Sequence, residues 1–142
     1  MSLIGLMLFS CKKTGPDTVP TSIDGTWKMI IVKENSTNAS LTKPSSIQGD
    51  VIITFVSITS TTGTFSGKTP TNHITGYENT YMLGPNPAIS ISIPILSMTK
   101  ISETSWGSHF VDNIRDAHQY SFETGGNLNI RTTNKRLTFK KI

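Results

Sequence analysis

Residues 88–96 read AISISIPIL, which places Ile89, Ile91, Ile93 and Ile95 on one face and Ser90 and Ser92 on the other. Successive residues of an extended chain point to opposite sides, so a repeat of two signals a strand with one buried face. Pro94 has no backbone N–H to offer a neighbouring strand, so this strand ends there or runs along an edge. Gly84-Pro85-Asn86-Pro87, just upstream, is a turn. Downstream the period changes. Trp106, Phe110, Ile114 and Ala117 recur at i, i+4, i+8 and i+11, which is one helical stripe within residues 102–118. Ser102 is the expected N-cap, and Glu103 falls favourably in the first turn. Gly107 weakens such a helix by about 1 kcal/mol relative to Ala, so packing must hold it.

Outward from these two elements, the chain alternates β-branched runs with turns. Residues 26–33 (TWKMIIVK) and 50–58 (DVIITFVSI) are strands, separated by a polar loop at 34–49. Residues 62–68 (TGTFSGK) form a third, and 73–83 one or two more, interrupted near Gly76. After the helix come three short strands at 118–123, 128–132 and 136–140, joined by turns at Gly125-Gly126 and Thr133-Asn134-Lys135. The expectation is a mainly β (α+β) chain of about eight strands and one helix. Its 142 residues suit one domain, and 17 Ser and 21 Thr disfavour a helix bundle. A single Cys excludes an internal disulfide scaffold and any multi-thiolate zinc site.

The amino terminus reads as an address. An apolar run ends in Leu8-Phe9-Ser10-Cys11, followed by Lys12 and Lys13. This resembles the lipobox of bacterial lipoproteins, in which the Cys thiol receives a diacylglycerol and the signal is cut just before it. The resemblance makes residues 1–10 a signal peptide and Cys11 a lipidation site. Several acyl chains, at ~0.8 kcal/mol per buried CH₂, hold a protein essentially permanently at a membrane. Residues 12–24, with two Pro and no apolar period, read as a tether with a reach of roughly 20 Å. The organisation expected is signal 1–10, lipidated tether 11–24 and a folded domain over 25–142.

Within that domain, Gly67, Asn72, Gly76 and Tyr77 follow Phe65. An Ile-rich strand, a Thr99-Lys100 step, the Trp106/Phe110/Ile114 helix and a closing Leu137-Thr138-Phe139 come next. This order resembles the META domain of heat-inducible bacterial envelope lipoproteins. The resemblance implies a partly closed, barrel-like antiparallel sheet packed against one helix, an envelope location, and no established enzymatic activity. Thr71 stands where that family often has Cys, so a thiol role found in relatives is absent here. A competing resemblance is to the lipocalins. Gly25-Thr26-Trp27 looks like their opening Gly-x-Trp, with Arg131 or Arg136 placed to cover the Trp. Lipocalins, however, put their main helix after the eight strands.

Candidate chemistry is sparse. His109, Asp112 and Asp116 fall at i, i+3 and i+7 and offer a weak metal candidate. His118 sits near the helix end and His73 beside Asn72. No Gly-x-Ser-x-Gly elbow, phosphate-cradling loop, or zinc or calcium motif occurs, and no cofactor is implied. Asn35 and Asn38 begin glycosylation-like triplets and read as ordinary loop residues. The formal net charge of +4 gathers partly in Lys135, Arg136, Lys140 and Lys141. Without interleaved aromatics this is a poor nucleic-acid surface, and anionic head groups suit it better.

The expected protein is therefore a non-enzymatic structural or interaction domain, lipid-anchored in the bacterial envelope, most simply at the outer membrane. Its partners are the membrane through Cys11 and an envelope protein. The alternative is a binder of a small apolar ligand or lipid. Cys11→Ala is expected to move the protein from the membrane fraction to the soluble fraction on ultracentrifugation. Retention without the thiol would remove the lipidation reading.

Overall fold

The computed structural model describes residues 20–75, 81–84, 90–93, 97–99 and 101–142. Cys11, Gly76, Tyr77, Ile89, Ile95 and Lys100 lie outside the described residues. Strand β1 (Gly25–Glu34) leads to β2 (Ser40–Leu41), β3 (Ile52–Ser57), β4 (Thr62–Lys68), β5 (His73–Thr75), β6 (Tyr81–Leu83), β7 (Ile91–Ser92) and β8 (Ser97–Met98). Helix α1 (Ser105–Val111) and a 3₁₀ turn (Ile114–Asp116) follow, then β9 (Gln119–Phe122), β10 (Leu128–Arg131) and β11 (Lys135–Lys141). The described strands number eleven rather than about eight, because short segments inside the expected loops also pair.

All pairings are antiparallel, in the order β7-β6-β4-β3-β1-β11-β10-β9. The two ends of that path meet. Ser90 bridges Gln119, and Ile91 N–H donates to the His118 carbonyl at 3.3 Å, so the sheet is a nearly closed barrel. A register shift between Met29 and Ile31 bends β1, which pairs with β3 through Gly25–Lys28 and with β2 further on. Strand β4 forks the sheet. Thr62 and Gly63 pair with β6, whereas Gly67 and Lys68 pair with β5, which carries β8 on its far side. The described part of the isoleucine-rich run and the residues just past it pair with two different strands. Ile91–Ser92 joins β6 and Ser97–Met98 joins β5, and Pro94 between them lies outside the described residues.

The interior is aromatic. Rings pass from Tyr81 to Phe55 and Phe65, both steps 5.1 Å from Phe55, then to Phe110 and Phe139 at 6.3 Å each. At the other end Trp27 stacks on Phe122 at 6.0 Å, and its indole N–H donates to the Ile23 carbonyl at 2.8 Å. Ile23 is 2% exposed, and Asp24 accepts from the Ser57 N–H and hydroxyl. The packed body thus takes in two residues that the sequence assigns to the tether.

Helix α1 is shorter than the expected 102–118. Thr104, not Ser102, is its N-cap, with Oγ1 accepting from the Gly107 N–H at 3.0 Å. The helix stops at Val111. Asn113 then turns the chain, its side chain donating to the His109 carbonyl at 2.9 Å, before the 3₁₀ turn begins. Trp106, Phe110, Ile114 and Ala117 are all buried nonetheless. The stripe marks burial correctly although the helix does not run its length, since the bend keeps the same side facing the core. Trp106 is 0% exposed and its indole N–H has no partner among the described residues.

Trp106→Ala is expected to lower the unfolding free energy by ~3–5 kcal/mol in urea titration. Trp106→Phe, which deletes the unpartnered N–H but keeps a six-membered ring in the core, should lose less than the Ala variant does. A loss below about 1 kcal/mol for the Ala variant would contradict the packing described.

Candidate functional site

The densest polar cluster is built on Asn72, which is 2% exposed in the turn between β4 and β5. Its Nδ2 donates to Thr71 Oγ1 (3.0 Å), the Ile101 carbonyl (2.8 Å) and Glu103 Oε2 (2.8 Å). Its Oδ1 accepts from Thr99 Oγ1 (3.0 Å) and the Ile101 N–H (2.9 Å). Thr69 completes the ring. Its hydroxyl donates to Glu103 Oε2 and accepts from the Asn72 N–H, while its own N–H reaches the Asn72 carbonyl. Thr99 Oγ1 also accepts the His73 N–H. One amide thus joins the β4–β5 turn, the end of β8 and the entry to α1.

Glu103 is folded back over the first turn of α1, where Oε1 accepts from the Thr104 N–H at 2.9 Å. A Cβ on Gly107 would lie 2.1 Å from that same oxygen, so any other residue there would push the Glu103 carboxylate out of this position. Gly67 has a similar reason: a Cβ would lie 2.2 Å from the Ile52 carbonyl where β4 closes on β3. Burial pushes the Glu103 carboxyl up, but hydrogen bonds from Thr69, Asn72 and Thr104 outweigh this and hold it below the usual range. Each group in the cluster turns inward on another. The arrangement braces the chain, and it sets no nucleophile beside a free base.

The other residues singled out by sequence separate. His109 lies in the last turn of α1, Asp112 is its C-cap and Asp116 sits in the 3₁₀ turn. The break in the helix destroys their common stripe, and no group of three metal-binding side chains forms among the described residues. Burial, with Lys135 nearby, lowers the His109 pKa and favours neutral imidazole. His73 and His118 are exposed, the latter with Nδ1 3.2 Å from the Asp116 carbonyl. Leu137 and Phe139 are core residues of β11. The cation over Trp27 is Lys141, 5.3 Å from the ring centroid, and not Arg131 or Arg136. Those two arginines line a cavity of about 210 Å³ with Gln119, Tyr120, Ser121 and Asn129. An apolar cavity of about 260 Å³ lies between β5, β8 and the helix, lined by Ile74, Met98, Phe110, Val111, Ile114 and Arg115.

Sequence reasoning missed Thr69 and the bracing role of Glu103. The available trace was a glycine four residues after a glutamate inside an otherwise helical stripe, where only a missing side chain leaves room for the carboxylate. The arginine pair was missed as a pair because strand register, not sequence spacing, brings it together.

No family model matches the chain, and no curated protein matches it. Among solved structures, the fold is similar to that in an NMR structure of a protein from Burkholderia xenovorans, with a TM-score of 0.57 and 17% identity. The match covers 84% of this chain and 82% of that one. At this identity the likeness establishes the architecture alone.

A carboxylate held below its ordinary pKa contributes stability above the unfolded value of about 4.3, lost as pH falls through the lower folded value. Glu103→Gln is therefore expected to flatten the fall in stability below about pH 4.5. Urea unfolding across an acid pH series reads this directly. Identical slopes in both proteins would show that the bracing bonds do not favour the charged form.

Proposed function

We propose that the chain is a membrane-tethered, non-catalytic interaction domain of the bacterial envelope, of the META type. The observation that carries this reading is the filled interior. The ring series from Tyr81 to Phe139 occupies the barrel, where a ligand-carrying relative would keep an open cavity. A barrel packed in this way acts through its surface. Bracing by Asn72 and Glu103 gives that surface rigidity, and the lipobox-like Cys11 supplies the anchor. No described helix is long and apolar enough to cross a membrane, so under this reading attachment rests on acylation. The positions taken from the META pattern have physical work in this fold. Gly67 permits strand closure, Asn72 is the bracing amide, and Thr99 is one of its partners.

One observation favours a second reading, a binder of a small apolar ligand. The cavity beside α1 has five apolar lining residues and one guanidinium, as small-molecule sites often have. It lies between the β5–β8 arm and the helix, with Phe110 of the ring series as one wall.

Gentle extraction from the native membrane, followed by intact mass measurement under native and denaturing conditions, separates the two. The denatured mass is expected to equal residues 11–142 plus acyl chains, with no further mass in the native spectrum. An unmodified Cys11 would overturn the tether. A small extra mass seen only in the native spectrum would favour the binder.

A further inference from the structure

We propose that the outer face of β9–β10–β11 binds a phosphate group. Strand register sets Arg131 directly opposite Arg136, and Arg136 directly opposite Lys33 on β1. Directly paired residues on one face have Cβ atoms about 5 Å apart, and like charges so placed destabilise a sheet. Among the described residues the ion pairs are Lys43–Asp50 and Lys135–Glu34, so no carboxylate bridges this row. Glu123, beyond the opposite end of β9, accepts from Asn129 Nδ2 at 2.9 Å. Three cations stand in line, and none of them is in either of those ion pairs.

Two further features make the row a site rather than a scatter of charge. Arg131 and Arg136 share the 210 Å³ cavity with Gln119, Tyr120, Ser121 and Asn129, each of which carries a side-chain hydrogen-bonding group. Arg136 Nε is buried and has no hydrogen-bond partner among the described residues. A buried donor left unpaired costs stability, and an oxyanion in the cavity removes that cost together with the repulsion. The ligand chemistry follows from the donor set. Two guanidinium forks and a third positive charge suit a tetrahedral, multiply charged oxyanion, whose oxygens can engage both forks at once. A carboxylate has only two oxygens and one charge. The phosphate belongs either to a soluble phosphate compound or to a phospholipid head group. The site does not rest on the tether reading.

The test uses the full chain carrying Cys11→Ala, so that lipidation plays no part. Its Tm is compared in sodium phosphate and in sodium chloride of equal ionic strength, alongside Arg131→Gln in the same background. Phosphate at about tenfold its Kd is expected to raise the Tm by roughly 3–5 °C, with no such rise in the variant. In chloride the variant should be no less stable than its parent, because it loses a repulsion. No shift with phosphate, an equal shift in Arg131→Gln, or a lower chloride Tm for that variant would each overturn the proposal. Phosphatidylglycerol vesicles then identify the source. Sedimentation of the parent but not of Arg131→Gln with them assigns a head group. A phosphate-dependent shift without sedimentation assigns a soluble phosphate ester.

Discussion

The side chain of Asn72 is the contact on which the architecture turns. The forked edge of β4 leaves the β5–β8 arm diverging from the barrel, and α1 has to return across the opening. A buried amide with two donors and a two-lone-pair acceptor can fasten three chain segments at once, which no apolar side chain can do. Here it holds the turn at Thr71, the strand end at Thr99 and the helix approach at Ile101 and Glu103. With the approach held, α1 presents Phe110 between Phe65 of β4 and Phe139 of β11. The core ring series thus depends on a polar contact at its edge.

That dependence accounts for residues that look unhelpful locally. Gly107 costs helix propensity, yet its missing Cβ leaves room for the Glu103 carboxylate, which in turn accepts from Thr69, Asn72 and Thr104. Thr104 then takes over the capping role, and the helix shortens to seven residues. Polar groups are satisfied in this corner and aromatic rings fill the middle, so the two halves of the packing problem are solved in different places. The remaining surface is left free for charge. The aligned cations on β10, β11 and β1 are tolerable because they face outward over a body whose stability comes from elsewhere.

Much of this was legible in the chain. The alternation around Ile91, the turns at Gly125-Gly126 and Thr133-Asn134, and the strands at both ends are local signals, and each appears in the fold. The buried stripe of Trp106, Phe110, Ile114 and Ala117 was legible too, because periodicity reports which side faces the core. Helix length was not. It depends on Asn113 capturing the His109 carbonyl, a bond that competes with continuing the helix. The candidate metal trio failed for the same reason, since it assumed that residues 109–116 share one straight axis. Trp27 was recognised as an anchor residue, but its cation is Lys141, brought to the ring by the pairing of β1 with β11.

What the amino-acid sequence by itself determined is the set of local choices: a mainly β chain, its turns and its buried stripe. These follow from side-chain alternation, backbone-permissive turn residues and apolar runs, all of which act over a few neighbours. What only the tertiary structure decided is which distant groups meet. Closure of the sheet through Ser90 and Gln119 and the alignment of Lys33, Arg136 and Arg131 depend on strand register, and the Asn72–Glu103 brace depends on where the β4–β5 turn meets the entry to α1. Register is settled by the packing of whole strands against one another, and a shift of one residue in β11 would turn Arg136 to the face opposite Lys33 and Arg131.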